Sequence, residues 1–265
     1  MTSLYDNYLW LFNDCADDRV KDWSLMGGPG SMLSILFFYL YAVKVALPAY
    51  MKDRPAYSLK TIIRWYNVFQ VVANSIVCYK IVTSGWTTNL TLGCEMPEFS
   101  YEPEPYSMLT WFWWTMALKV VELIETVFFV LRKKNNQVSF LHVYHHFSTP
   151  LIVWIGVKFA GGGMATFAPM INTFIHVIMY SYYLMSAEAG PAFRAVLNKY
   201  KKWLTIVQMA QFTIVLMHSA QALMPSCDAP LLIVWIFIPN VLVVYYLFYD
   251  FFKKSYQSKP KNLKK

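Results

Sequence analysis

Three histidines, His142, His145 and His146, stand close together in SFLHVYHHFSTP, a stretch otherwise mostly apolar. Imidazole can ligate a metal, move protons near neutral pH or, when neutral, attack an activated carbonyl. On a helix the i, i+3 and i+4 spacing puts His142 on one face with both others. Three other polar sets keep helical spacing inside apolar runs. Lys119, Glu122 and Glu125 follow one another by three. Asn172, His176, Met179, Tyr180 and Tyr183 run at offsets of 4, 7, 8 and 11, and Thr205, Gln208 and Gln211 form the last set. Each keeps to one side of a 3.6-residue helix.

The elements that must position these residues are membrane helices. With 57% hydrophobic and 14% charged residues, the composition excludes an ordinary soluble domain. Seven apolar runs of about 20 residues, enough to cross ~30 Å of hydrocarbon, fall at roughly 31–50, 62–84, 108–131, 138–159, 164–187, 203–224 and 230–252. The expectation is an all-α integral membrane protein with seven transmembrane helices. It divides into an N-terminal segment over 1–30, a membrane domain over 31–252 and a basic tail over 253–265. The opening residues lack the pattern of a cleaved signal peptide.

The net charge of +8 is not spread as a nucleic-acid surface would be. Lys52, Arg54 and Lys60 follow the first run, Arg132, Lys133 and Lys134 the third, Arg194, Lys199, Lys201 and Lys202 the fifth, and six lysines the last. Connections after the second, fourth and sixth runs carry no Lys or Arg. Positive charge marks the cytoplasmic side, so the C-terminus is expected there and the N-terminus opposite. Cys94 and Cys227 then share the side where disulfides persist, and a bridge between them is expected. Cys15 lies on that side too and leaves another pairing open. Asn89-Leu90-Thr91 is a glycosylation sequon in the same region.

Counted by helical rise from the cytoplasmic ends, the four polar sets share one slab, which predicts a chamber open to the cytoplasm and closed by apolar residues at the far end. A zinc held by the histidine box with His176 is one reading of the chamber. Di-iron membrane enzymes need more histidines than the five present, and the expectation is no metal and no cofactor. His218 reads as a packed histidine. With no cysteine near the box, a covalent acyl carrier would have to be imidazole. A proton-coupled transporter would also line a path with His, Glu and Lys, but neither broken helices nor paired repeats are visible.

Four boxes together resemble the ELO family of very-long-chain fatty acid elongases: HVYHH at 142–146, KVVELIET at 119–126, NTFIHVIMYSYY at 172–183 and TIVQMAQ at 205–211. Glu125 stands where the family usually has Asp. The resemblance implies a 3-oxoacyl-CoA synthase of the endoplasmic reticulum membrane, condensing a long acyl-CoA with malonyl-CoA with release of CO₂ and CoA. It implies His145 as acyl acceptor, assisted by His142, His146 and His176, with Lys119, Asn172, Gln208, Gln211 and Tyr180 as donors and Glu122 and Glu125 as orienting groups. Tyr183 and Thr205 join the substrate wall, and Arg132, Lys133, Lys134, Lys201 and Lys202 stand ready for the CoA anion. Small residues at Ala165, Ala168 and Ala222 leave room for the acyl tail. The partners implied are the two CoA thioesters and membrane lipid, with a homodimer and the other enzymes of the elongation cycle compatible with the family. The tail KPKNLKK is similar to a dilysine retrieval signal but has Leu263 where that signal has a lysine three residues from the end.

Overall fold

The computed structural model describes residues 3–257, and the lysines of the tail beyond Gln257 lie outside it. Every regular element among the described residues is helical. The α-helices run α1 Leu4–Leu9, α2 Pro29–Tyr41, α3 Leu47–Met51, α4 Lys60–Ile81, α5 Pro103–Glu122, α6 Ile124–Leu131, α7 Phe140–Phe159, α8 Phe167–Glu188, α9 Pro191–Ser219 and α10 Leu231–Phe252.

Local chemistry explains the boundaries. Proline opens α2, α5 and α9, where its missing N–H is one the helix would leave unpaired in any case. Ser139 caps α7 by accepting from the His142 backbone at 3.2 Å. The third apolar run is two helices: at Leu123 the backbone bonds Val120 at 3.2 Å in a tight turn, and α6 restarts at Ile124. The link between the fifth and sixth runs is much shorter than its charge pattern suggests. Only Ala189 and Gly190 separate α8 from α9, so Lys199, Lys201 and Lys202 lie on a helix, consistent with the good helix propensity of Lys, Arg, Leu and Ala around them.

Four helical stretches are long and apolar enough to cross a bilayer: Pro29–Met51, Lys60–Trp86, Pro191–Leu223 and Leu231–Gln257. The protein is therefore a multi-pass membrane protein. Large apolar side chains such as Phe38, Trp235 and Met217 are 72%, 66% and 71% exposed on these helices, as a lipid-facing surface requires. The shorter α5, α7 and α8 carry most of the polar sets.

Packing neighbours close a cycle: α4 against α5, α5 against α7, α7 against α10, α10 against α9, α9 against α8, and α8 back against α4. The first span stays outside this cycle. Met32, Leu36, Tyr39 and Val43 of its helix pack on Leu109, Phe112, Met116, Val143 and Trp154, which is the seam between α5 and α7.

Candidate active site

Lys119, Glu122 and His176 meet where α5 faces α8. The Lys119 ammonium donates to both Glu122 oxygens, at 2.9 and 3.1 Å. The His176 Nδ1 lies 3.0 Å from Glu122 Oε1 and 3.1 Å from Lys119 Nζ. All three are at most 6% exposed. A charge pair this far from water is held only when each partner is satisfied, and the i, i+3 spacing on α5 brings Lys and Glu onto one face.

Two residues beyond the break at Leu123, Glu125 is addressed differently. Tyr66 of α4 donates to Glu125 Oε1 at 3.2 Å, Gln70 donates to the Tyr66 hydroxyl at 2.9 Å, and Asn74 donates to Gln70 Oε1 at 3.0 Å. Gln70 and Asn74 are fully buried. Glu125 Oε2 stands 3.6 Å from His146 Nε2. Each carboxylate of the KVVELIET stretch thus faces one histidine.

The histidine box divides its members. His142 shares a 2.8 Å hydrogen bond with Thr126, whose hydroxyl also meets the Tyr39 hydroxyl at 2.9 Å; this imidazole links α7 to the first span. His146 faces Glu125. His145 turns towards α10, its ring 6.3 Å from that of Phe248 and 5.6 Å from His146. Among the described residues its ring takes no hydrogen bond. Pro150 lies inside α7 and has no N–H to donate to the His146 carbonyl one turn back.

Around these groups, Asn172 Oδ1 and the Tyr180 hydroxyl are buried without a hydrogen-bond partner among the described residues. Tyr180 packs edge-on to Tyr66 and His176 at 6.0 and 5.6 Å. Gln208 reaches the Met179 sulfur at 3.4 Å. Gln211 and Thr205 are each 6% exposed, whereas Tyr183 is 41% exposed. His218 is a packed residue, stacked on Phe167 at 3.9 Å.

Residues 24–264 match the GNS1/SUR4 (ELO) family. The chain belongs to the ELO family. It is 40% identical over 243 residues to a very long chain fatty acid elongase of Aedes aegypti, covering 91% of this chain and 67% of the relative. To very long chain fatty acid elongase 7 of Rattus norvegicus it is 42% identical over 225 residues, covering 84% and 78%. To very long chain fatty acid elongase 4 of Homo sapiens it is 37% identical over 256 residues, covering 96% and 80%.

The remaining expected residues of this ELO chain fall at its two ends. Cys94 and Cys227 are joined in a disulfide with Cα atoms 5.8 Å apart, while Cys15 and Cys78 are free. Near that bridge an apolar cavity of about 110 Å³ is lined by Met96, Gly156, Ala165, Ala222, Pro230 and Val234, among others. Ala168 does not line it; it packs on the Phe212, Val215, Val241 and Val244 cluster. The loop after α4 is clamped here, since Met164 N donates to Glu95 O at 2.7 Å and Gln221 to Leu92 O at 2.9 Å. Gly163 has φ +51°, and a Cβ there would run into the Glu95 carbonyl oxygen. Asn89 donates to Glu104. At the opposite end, Lys202 lies 5.8 Å over the Phe252 ring, and Lys133 donates to the Lys52 carbonyl at 3.4 Å. No cluster of three or more His, Cys, Asp or Glu is arranged for a metal ion among the described residues.

Sequence patterning passed over the α4 column of Tyr66, Gln70 and Asn74. Its i, i+4, i+8 spacing was the available signal.

Proposed function

We propose that this protein condenses a long-chain acyl-CoA with malonyl-CoA to a 3-oxoacyl-CoA two carbons longer. The observation that carries the reading is His145: its neighbours in the box are engaged, His142 by Thr126 and His146 opposite Glu125, while its own ring is left without a hydrogen bond. Attack of that imidazole nitrogen on the thioester carbonyl forms a C–N bond, breaks C–S and releases CoA thiol. Decarboxylation of malonyl-CoA then breaks its C–COO⁻ bond to give CO₂ and an enolate. The enolate carbon attacks the acyl-imidazole, and the C–N bond breaks to free His145. Donors fixed away from water stabilise such an enolate, and exclusion of water protects the acyl intermediate from hydrolysis. Lys119, Asn172, Gln208, Gln211 and Tyr180 are the donors available, and Glu122 and His176 hold Lys119 in place.

In this reading all seven helical runs cross the membrane, and the six-helix cycle encloses a chamber open to the cytoplasm. The protein resides in the endoplasmic reticulum with a lumenal N-terminus and a cytoplasmic C-terminus. Residues 1–30 and the tail from 253 flank the membrane domain. CoA meets Arg132, Lys134, Lys201 and Lys202 at the mouth, whereas Lys133, expected with them, reaches the Lys52 carbonyl instead; the acyl tail ends in the apolar cavity. No resident cofactor takes part. The charge asymmetry and the disulfide at the opposite end support the orientation. Purified protein incubated with labelled malonyl-CoA and a graded acyl-CoA series tests the reaction. A 3-oxoacyl product is expected, and its absence at every chain length would overturn the proposal.

A further inference from the structure

Outside the six-helix cycle, the first span and the end of α6 leave a second concavity of about 420 Å³. Lys44, Met51 and Lys52 form one wall; Val130, Lys133 and Asn135 form the other. None of the residues placed around His145 borders it. Its shape begins with Pro48, which cannot donate to the Lys44 carbonyl one turn back. The helix accommodates this with a wide turn over Ala42–Ala46, closed by Leu47 N bonding Ala42 O. Such turns inside membrane-length helices recur at functional positions.

Three lysines, Lys44, Lys52 and Lys133, line this space and no Asp or Glu does. None of the three belongs to an ion pair among the described residues, although the protein pairs Lys21, Lys119 and Lys254 with acids elsewhere. Lys133 also occupies left-handed backbone, φ 53°, at the C-terminal cap of α6, where Lys134 N bonds Phe129 O at 2.8 Å. Glycine is the usual residue at such a cap. Here a lysine stands there and reaches across to the Lys52 carbonyl. The positive-inside rule accounts for lysines at this end; it does not gather three of them around one hollow without a counter-charge.

Lys44 is exposed on a membrane-crossing helix, seven residues before Met51 and so ~10 Å inside its end. The same helix presents Phe37, Tyr41 and Val45 at 60%, 58% and 54% exposure. The hollow therefore carries cationic groups beside an apolar face turned towards lipid. Basic pockets between membrane helices on the cytoplasmic side suit anionic lipid headgroups. A nucleotide would gain little, because no aromatic ring lines the space to stack a base.

We propose that this hollow binds the phosphate-bearing headgroup of an anionic phospholipid from the adjacent leaflet. Lys44, Lys52 and Lys133 supply the charge, Asn135 hydrogen-bonds the headgroup, and the acyl chains lie along the exposed face of α2. The proposal rests on the orientation given above and is independent of the condensation chemistry.

The test uses the full chain in nanodiscs of phosphatidylcholine doped with phosphatidylinositol 4-phosphate, with retained lipid counted by native mass spectrometry. Wild type is expected to retain the anionic lipid selectively. Lys44→Gln and Lys52→Gln should each lower retention about fivefold, the scale of one lysine near a charged surface, while Lys60→Gln, outside the hollow, changes nothing. Lys133→Gly relieves the left-handed backbone, so its melting temperature in phosphatidylcholine alone should hold or rise while retention falls. Equal retention by folded variants, or an equal loss in Lys60→Gln, overturns the site. Displacement of the lipid by soluble 3′,5′-ADP overturns the lipid assignment in favour of a nucleotide. None of these readouts needs turnover, so failure of the elongase reading leaves them unaffected.

Discussion

Tyr66 on α4 donates to Glu125 on α6 at 3.2 Å, linking two helices that bring different parts of the site. The carboxylate is thereby aimed, with its second oxygen on the His146 side. Behind the tyrosine, Gln70 and Asn74 complete a column of hydrogen bonds along α4. The side chain at 125 carries one methylene more than the Asp usual in the family, and Tyr66 is the partner that fixes its end.

Replacing Tyr66 with Phe should therefore lower kcat about tenfold, the scale of one buried hydrogen bond to a charged group, with little change in KM. In a Glu125→Asp background the same change should cost much less, because the shortened carboxylate no longer reaches the phenol. A double-mutant cycle on steady-state rates checks this. Strict additivity would mean that Tyr66 acts on something other than Glu125.

His145→Ala should leave a folded protein that neither condenses nor releases CoA from acyl-CoA alone. His142→Ala should behave in the opposite sense: it removes the partner of Thr126 and should cost about 1–3 kcal/mol of stability while CoA release persists. Thiol titration after mixing with acyl-CoA, alongside melting curves, separates the two. Normal CoA release by His145→Ala would exclude it as acyl acceptor.

Lys119→Met should be among the most destabilising single changes in the protein, costing about 3–5 kcal/mol, since it removes the ammonium that meets both Glu122 oxygens and leaves the buried carboxylate with His176 alone. Removing both charges, as Lys119→Met with Glu122→Leu, should restore much of that loss without restoring activity. Thermal denaturation in a fixed detergent provides the comparison.

Ala222→Phe should fill the apolar cavity at the disulfide end and shift products to shorter chains while early elongation continues. Gly156→Ala should act in the same direction, because its Cβ would come 2.7 Å from the Phe112 ring. Ala168→Phe, at a half-buried position against another cluster, should disturb packing and leave product length alone. Chromatography of products from a graded acyl-CoA series is the measurement, with melting curves as control. An unchanged distribution in folded Ala222→Phe would remove the cavity from the path of the tail.

Periodicity made much of this arrangement legible. Lys119, Glu122 and His176 could be assigned to one layer by counting turns, and they meet within 3.1 Å. The connections that lack Lys and Arg put Cys94 and Cys227 on one side with Cys15 as a rival partner, and the structure pairs the first two and leaves Cys15 free. What periodicity could not supply was partnership across helices. His142, His145 and His146 look equivalent in HVYHH; only the neighbours at Thr126, Phe248 and Glu125 distinguish them. The basic stretch before Thr205 resembled a loop because lysines outside a bilayer give no apolar signal, yet Pro191 starts a helix through it. Tyr66, Gln70 and Asn74 were hidden by the opposite effect: neutral side chains spaced among Val, Ile and Phe do not interrupt an apolar run.

Buried Arg19, held by Asp17, also donates to the carbonyls of Glu98, Ser100 and Gly161. Synthesis runs from the N-terminus, so Arg19 emerges long before its three acceptors exist. Asp17, Glu98 and Ser100 can take most of its N–H groups earlier, but one Nη2 N–H lacks its acceptor until Gly161 has been made, and full burial of this face before then would leave it unpaired. Closure is thus timed by the fourth helical run, and Cys227 later locks the same face to Cys94. In chains truncated after residue 150, trypsin should cut at Arg19; in the full chain it should not. Protection of Arg19 in the short chain would show that the face closes without waiting for Gly161.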